Sequence, residues 1–132
     1  MPLAKIYVRE GRYSEPRVDA ISASVQAALI NTLGVPPDDF FQLIFEIPQG
    51  RFRHSAGFVG MHYTDDFIII EIAFIEGRPA EKRLALLKDI NTRVSQAANI
   101  SPDDMMIAIA EAPGVNFSFG RGEAQRANLA KA

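Results

Sequence analysis

The chain has 132 residues, no cysteine, 14 Lys+Arg against 16 Asp+Glu and 48% apolar residues, enough to bury one core without covalent staples. A charged fraction of 23% excludes a disordered chain, and the lack of Cys excludes disulfides and Cys-ligated metals. A formal charge of −2 gives no general pull toward nucleic acid or an anionic membrane. No apolar run approaches a membrane span, and MPLAKIYVRE lacks the apolar stretch of a signal peptide, so a single soluble, cytoplasmic domain over residues 1–132 is expected.

In chain order, Leu3–Val8 alternates as a short strand, with Ile6 and Val8 on one side and Lys5 and Tyr7 on the other. Gly11 ends it, and Ser14 followed by Pro16 opens a helix. Val18, Ile21, Val25, Ala28, Leu29 and Leu33 then recur at helical spacing until Gly34 and Pro36 stop the run. Phe40–Ile47 reads as the second strand. Residues 49–66 form a polar linker with three glycines, both histidines and two arginines, part of which can pair as a short extra strand. Phe67–Ile75 is a strand, apolar on both faces except at Glu71, as expected of a strand covered on both sides. Pro79 opens a second helix lined by Leu84, Leu87, Ile90, Val94 and Ala97, and Met105–Ala110 is the closing strand. The tail after Pro113 mixes aromatics and glycines, and its last residues read as frayed.

The chain also echoes itself. Glu10-Gly11-Arg12 returns as Glu76-Gly77-Arg78 at an offset of 66, Pro37-Asp38-Asp39 as Pro102-Asp103-Asp104 at 65, and Glu46-Ile47-Pro48 as Glu111-Ala112-Pro113 at 65. Three tripeptides in the same order indicate a duplicated unit, with pseudo-repeats at about 2–48 and 67–113 around the linker 49–66. Each unit is a βαβ with a right-handed crossover. The predicted fold is α+β, a four-stranded mixed sheet with two helices on one face. Its other face needs a cover, so a homo-oligomer is expected.

The residue after Met1 is small enough for aminopeptidase to remove the initiator, which would leave Pro2 with a free secondary amine. An α-amino group titrates at roughly 7.7–8.0, within reach of service as a base. Counting back by 66, Pro2 aligns with Ile68, whose nitrogen is an amide and cannot act so. Arg12 and Arg78 both follow a strand and precede a helix, a position suited to clamping a carboxylate bidentately. For either, a solvated loop charge or a pair with Glu10 or Glu76 is the alternative.

An N-terminal proline on a short strand, then Glu-Gly-Arg, then an amphipathic helix, in a duplicated βαβ chain, resembles the tautomerase superfamily of 4-oxalocrotonate tautomerase and macrophage migration inhibitory factor. Ile100-Ser101-Pro102-Asp103-Asp104, the stretch Asn116–Gly122, and Gly34-Val35-Pro36 with Asp39 are similar to the malonate semialdehyde decarboxylase subgroup. The resemblance implies a homotrimer with sheets inside and helices outside, and cofactor-independent chemistry on a small carboxylic acid. It implies catalytic roles for Pro2, Arg78 and Asp39, with Arg78 on the substrate carboxylate and an aromatic wall at Phe117, or its neighbour Phe119. Where the subgroup carries a second arginine this chain has Glu76, which disfavours a cationic proline.

Three functions follow from the resemblance. One is tautomerisation of a 2-oxo/2-hydroxy-enoate by a neutral Pro2. The second is decarboxylation of a short 3-oxo acid such as malonate semialdehyde. The third is a non-catalytic binding or signalling trimer. Other candidates are weaker: His54 and His62 lack a third ligand for a metal, and Gly120-Arg121-Gly122 lacks the strand and helix of a phosphate loop. Asp103-Asp104 reads as turn chemistry, and Tyr7 and Tyr63 as core tyrosines.

Overall fold

The computed structural model describes residues 1–128. Strand β1 (Pro2–Arg9) leads to helix α1 (Glu15–Leu33) and strand β2 (Gln42–Ile47); a small hairpin, β3 (Gly57–Phe58) and β4 (Met61–His62), follows. The second half supplies β5 (Ile68–Ile75), α2 (Ala80–Ala98) and β6 (Met105–Ala112). Ser14 occupies the cap of α1 with extended backbone, although its hydroxyl makes no capping bond, and a proline lies in the first turn. The two helices end alike, on Gly34 (φ 69°) and Asn99 (φ 56°), both in the left-handed conformation that closes a helix.

The main sheet runs β2-β1-β5-β6. Within each half the strands are parallel, and the halves meet through the antiparallel pair β1/β5, where Pro2 lies opposite Phe74 and Ile6 opposite Ile70. That antiparallel join sets the geography of the molecule: the start of β1 shares one end of the sheet with the end of β5, and the end of β1 shares the other with the start of β5.

Ala4, Ile6 and Val8 from β1, with Ile68, Ile70, Ile72 and Phe74 from β5, point toward the helices and are fully buried. Val18, Ile21, Val25 and Leu29 of α1 and Leu86, Ile90, Val94 and Ala98 of α2 close over them. Burial of each large side chain contributes about 1.5–3 kcal/mol.

Two expectations need correction. Helix α2 buries the row Leu86, Ile90, Val94, Ala98; Leu84 is 66% exposed and Ala97 is exposed. The run Leu84-Ala85-Leu86-Leu87 is apolar in several helical phases, so periodicity alone could not choose. Strand β2 begins at Gln42, because Phe40 and Phe41 belong to the loop that wraps the chain start. As expected, the outer face of β5 is not covered within one chain: Glu71 is exposed, and Leu43 and Phe45 of β2 and Met106 of β6 stand open beside it. There Tyr7 stacks on Phe45 at 4.9 Å and donates to Glu71 at 2.5 Å, a bond that raises the tyrosine pKa. Among the described residues no helix is long and apolar enough to cross a membrane.

Candidate active site

Pro2, the first residue of β1, is buried on the helix side. Asp39 ends the turn between α1 and β2, its N–H bonded to the Pro36 carbonyl at 3.0 Å and its own carbonyl accepting from Gln26 Nε2 at 3.1 Å. The loop therefore holds its carboxylate over the head of β1, where Oδ2 accepts from the Met1 amino group at 2.5 Å. A cavity of about 300 Å³ opens here, lined by Met1, Pro36, Asp38, Asp39, Phe41, Phe119 and Arg126.

Arg78 arrives at the same end from β5. Gly77 takes φ 127°, a conformation natural to glycine, and turns the chain out of the strand. The Arg78 guanidinium then lies over the ring of Phe74, 5.2 Å from its centroid, and Phe74 is the residue facing Pro2 across the sheet. Arg83 Nη1 donates to the Arg78 carbonyl at 2.8 Å and pairs with Glu111 at 3.2 Å, which steadies the turn. Among the described residues the Arg78 guanidinium makes no ion pair.

The structure thus gathers Pro2, Asp39, Arg78 and Phe119 at one end of the sheet. Phe119, rather than Phe117, lines the cavity. Arg12 is not brought there. It follows β1 at the opposite end, where its Nε donates to Asp66 at 2.7 Å, a partner that raises the arginine pKa. His54 and His62 part company: the His54 ring packs 4.7 Å from Phe67, and the His62 N–H donates to Asp103 at 3.0 Å. Asp104 is buried, and its carboxylate accepts from Thr64 N at 2.7 Å and Thr64 Oγ1 at 2.6 Å, the turn role expected of it. Gly120, Arg121 and Gly122 all have positive φ and form a tight turn.

Sequence reasoning missed Arg126 and Phe41. Phe41 reads as strand from its apolar neighbours, and Arg126 lies in a tail with no periodicity from which a fold-back can be read.

The chain as a whole is similar to known proteins in sequence and fold. A family profile described as "Tautomerase enzyme" matches residues 39–120, and a second of the same description matches residues 2–53. The chain belongs to the tautomerase family. The probable tautomerase YusQ of Bacillus subtilis (strain 168) is 30% identical over 125 residues, covering 95% of this chain and 98% of the relative. The crystal structure of FG41 malonate semialdehyde decarboxylase, inhibited by 3-bromopropiolate, superposes with a TM-score of 0.82 at 27% identity, covering 94% of this chain and 93% of that one. A fused 4-OT, solved as a symmetric trimer, shares the fold with a TM-score of 0.80 at 19% identity, covering 97% and 99% of the two chains. This tautomerase is thus an enzyme of the isomerase class, built on the fold that the decarboxylase shares.

Proposed function

We propose that removal of Met1 leaves the Pro2 amine as general base in the tautomerisation of a small 2-hydroxy-enoate to its 2-oxo form. The observation that carries this reading is the cavity at the head of β1, where the chain start lies beside Asp39, Phe41 and Phe119. The neutral amine accepts the proton of the enol hydroxyl and returns a proton to carbon, so the amine ends the cycle unchanged. Arg78, with no carboxylate partner among the described residues, is available to the carboxylate of the substrate. Phe119 and Phe41 supply apolar walls that exclude water and strengthen those charges. Three copies of the chain cover the open sheet face carrying Leu43, Phe45 and Met106, by analogy with the fused 4-OT trimer.

Asp39 also favours a second reading. The Pro2 nitrogen lies three bonds from that of Met1, so the Asp39 carboxylate stands within about 7 Å of it. An anion so close stabilises a protonated proline, the state suited to decarboxylation of a short 3-oxo acid. The test is ultraviolet-monitored ketonisation of phenylenolpyruvate and 2-hydroxymuconate by wild type and Pro2→Ala, with the mature N-terminus read by mass spectrometry. A wild-type rate above buffer, reduced at least ~100-fold in the variant, is expected. A flat wild-type trace on both substrates overturns the tautomerase reading, and turnover of malonate semialdehyde by the same protein would establish the second.

A further inference from the structure

The tail of the chain is not an appendage of the fold. Beyond the 3₁₀ turn at Gly114–Asn116 it doubles back, and Gly114 is where the two passes meet: a Cβ there would stand 2.2 Å from the Arg126 carbonyl oxygen. Only a residue without a side chain lets the backbone of Arg126 come so close. The returning segment is clamped by one side chain. Gln125 Oε1 accepts from the Phe119 N–H at 3.0 Å, and Gln125 Nε2 donates to the Gly120 carbonyl at 2.9 Å. Glu123 N to Gly120 O at 3.3 Å and Ala127 N to Ala124 O at 3.1 Å complete two further turns.

Phe119 and Arg126 are therefore held as one unit, and both line the cavity at the chain start. The charged side chains lining that cavity, of the described residues, are Asp38, Asp39, which accepts from the Met1 amino group, and Arg126, the one cation among them. Among the described residues its guanidinium forms no ion pair or hydrogen bond, in contrast to Arg12, Arg83 and Arg93, each of which is paired with a carboxylate.

We infer that Arg126 is a substrate-binding residue of this tautomerase, presenting its guanidinium to a carboxylate of the ligand in the cavity that Asp39 and the chain start line. The inference rests on the reading that this cavity is the active site. Gln125 is then a positioning residue, since it acts by fixing the turn that carries Phe119 and Arg126. A guanidinium that binds substrate and transition state alike lowers KM and leaves kcat nearly unchanged.

The experiment compares wild type, Arg126→Gln and Arg126→Lys in steady-state ketonisation of 2-hydroxymuconate, and in covalent modification of the N-terminal peptide by 3-bromopropiolate, followed by mass spectrometry. Circular dichroism confirms that the variants fold. Arg126→Gln is expected to raise KM about tenfold or more with kcat within about threefold. Arg126→Lys, which keeps the charge but loses the fork, is expected to recover part of the loss, and labelling by the carboxylate-bearing reagent slows in step with KM. A KM and a labelling rate in Arg126→Gln within twofold of an active wild type overturn the role of Arg126 and leave the site assignment standing. Where 2-hydroxymuconate is not turned over, the labelling rates of wild type and variant decide alone. A wild type that is neither active nor labelled overturns the site assignment and the inference with it.

Discussion

The two ends of the β1/β5 pair hold equivalent residues and have opposite characters. At one end lie the chain start, Asp39, Arg78 and Phe119; at the other, at offsets of 65 or 66, lie the start of β5, Asp104, Arg12 and His54. The backbone repeats with them. Asp39 N bonds Pro36 O and Asp104 N bonds Ser101 O, both at 3.0 Å; Glu10 N reaches Ile47 O at 2.8 Å and Glu76 N reaches Ala112 O at 2.9 Å.

What differs is who answers each polar group. At the second end Arg12 is held by Asp66, Asp104 is spent on Thr64, and Phe67 fills the space with Phe52, His54 and Tyr63 around it at ring distances of 6.2, 4.7 and 4.5 Å. At the first end a cavity remains around the chain start itself, whereas the opening at the second end lies on the outer sheet face, beside Tyr7, Ile69 and Glu71. Chain connectivity explains the asymmetry: Phe67 and Ile68 are internal, so no free amine can form there, and packing with apolar side chains is what stabilises that end. The ends lie roughly 25 Å apart along eight residues of strand, so each can be altered without touching the other.

The largest expected effect comes from emptying the filled end. Phe67→Ala removes a fully buried ring and should cost about 3–5 kcal/mol in urea unfolding, whereas Phe119→Ala, at a half-exposed site, should change binding rather than stability. Next are the arginines. Arg78→Ala should lower kcat/KM for 2-hydroxymuconate by about 10–100-fold. Arg12→Ala should leave kcat/KM within about threefold, since an exposed pair with Asp66 contributes little to the other end; a loss as large as that of Arg78 would mean the two ends work together.

The aspartates sharpen the contrast further. Asp104→Ala leaves two Thr64 donors without their acceptor and should cost about 1–3 kcal/mol, with kinetics read only on the folded fraction. Asp39→Asn should keep the midpoint of unfolding and change the pH profile of kcat. The smallest effect concerns Tyr13, whose hydroxyl donates to the Asp66 carbonyl and whose pKa is raised chiefly by burial and then by the Asp66 charge. Below about pH 10 the tyrosine is neutral in both folded and unfolded chains; above it the unfolded chain ionises first, so stability falls as pH rises. Tyr13→Phe should flatten that decline between pH 9 and 11 in denaturant titrations.

The sequence by itself determined the duplicated βαβ units, the stop of the first helix at Gly34, and the place of Pro2 at the head of the first strand, because glycine, proline and apolar spacing act over a few residues. It also exposed Arg78, which sits in a tripeptide that recurs, and the family resemblance added Asp39. Only the tertiary structure decided the rest. The antiparallel pairing of β1 with β5 is a long-range choice, and it alone brought Arg78 to Pro2 and sent Arg12 away. The phase of α2 was settled by which apolar row met the sheet. Phe119 and Arg126 reached the cavity through a turn closed by Gln125 and a close approach at Gly114, contacts between side chain and backbone that leave no period in the sequence.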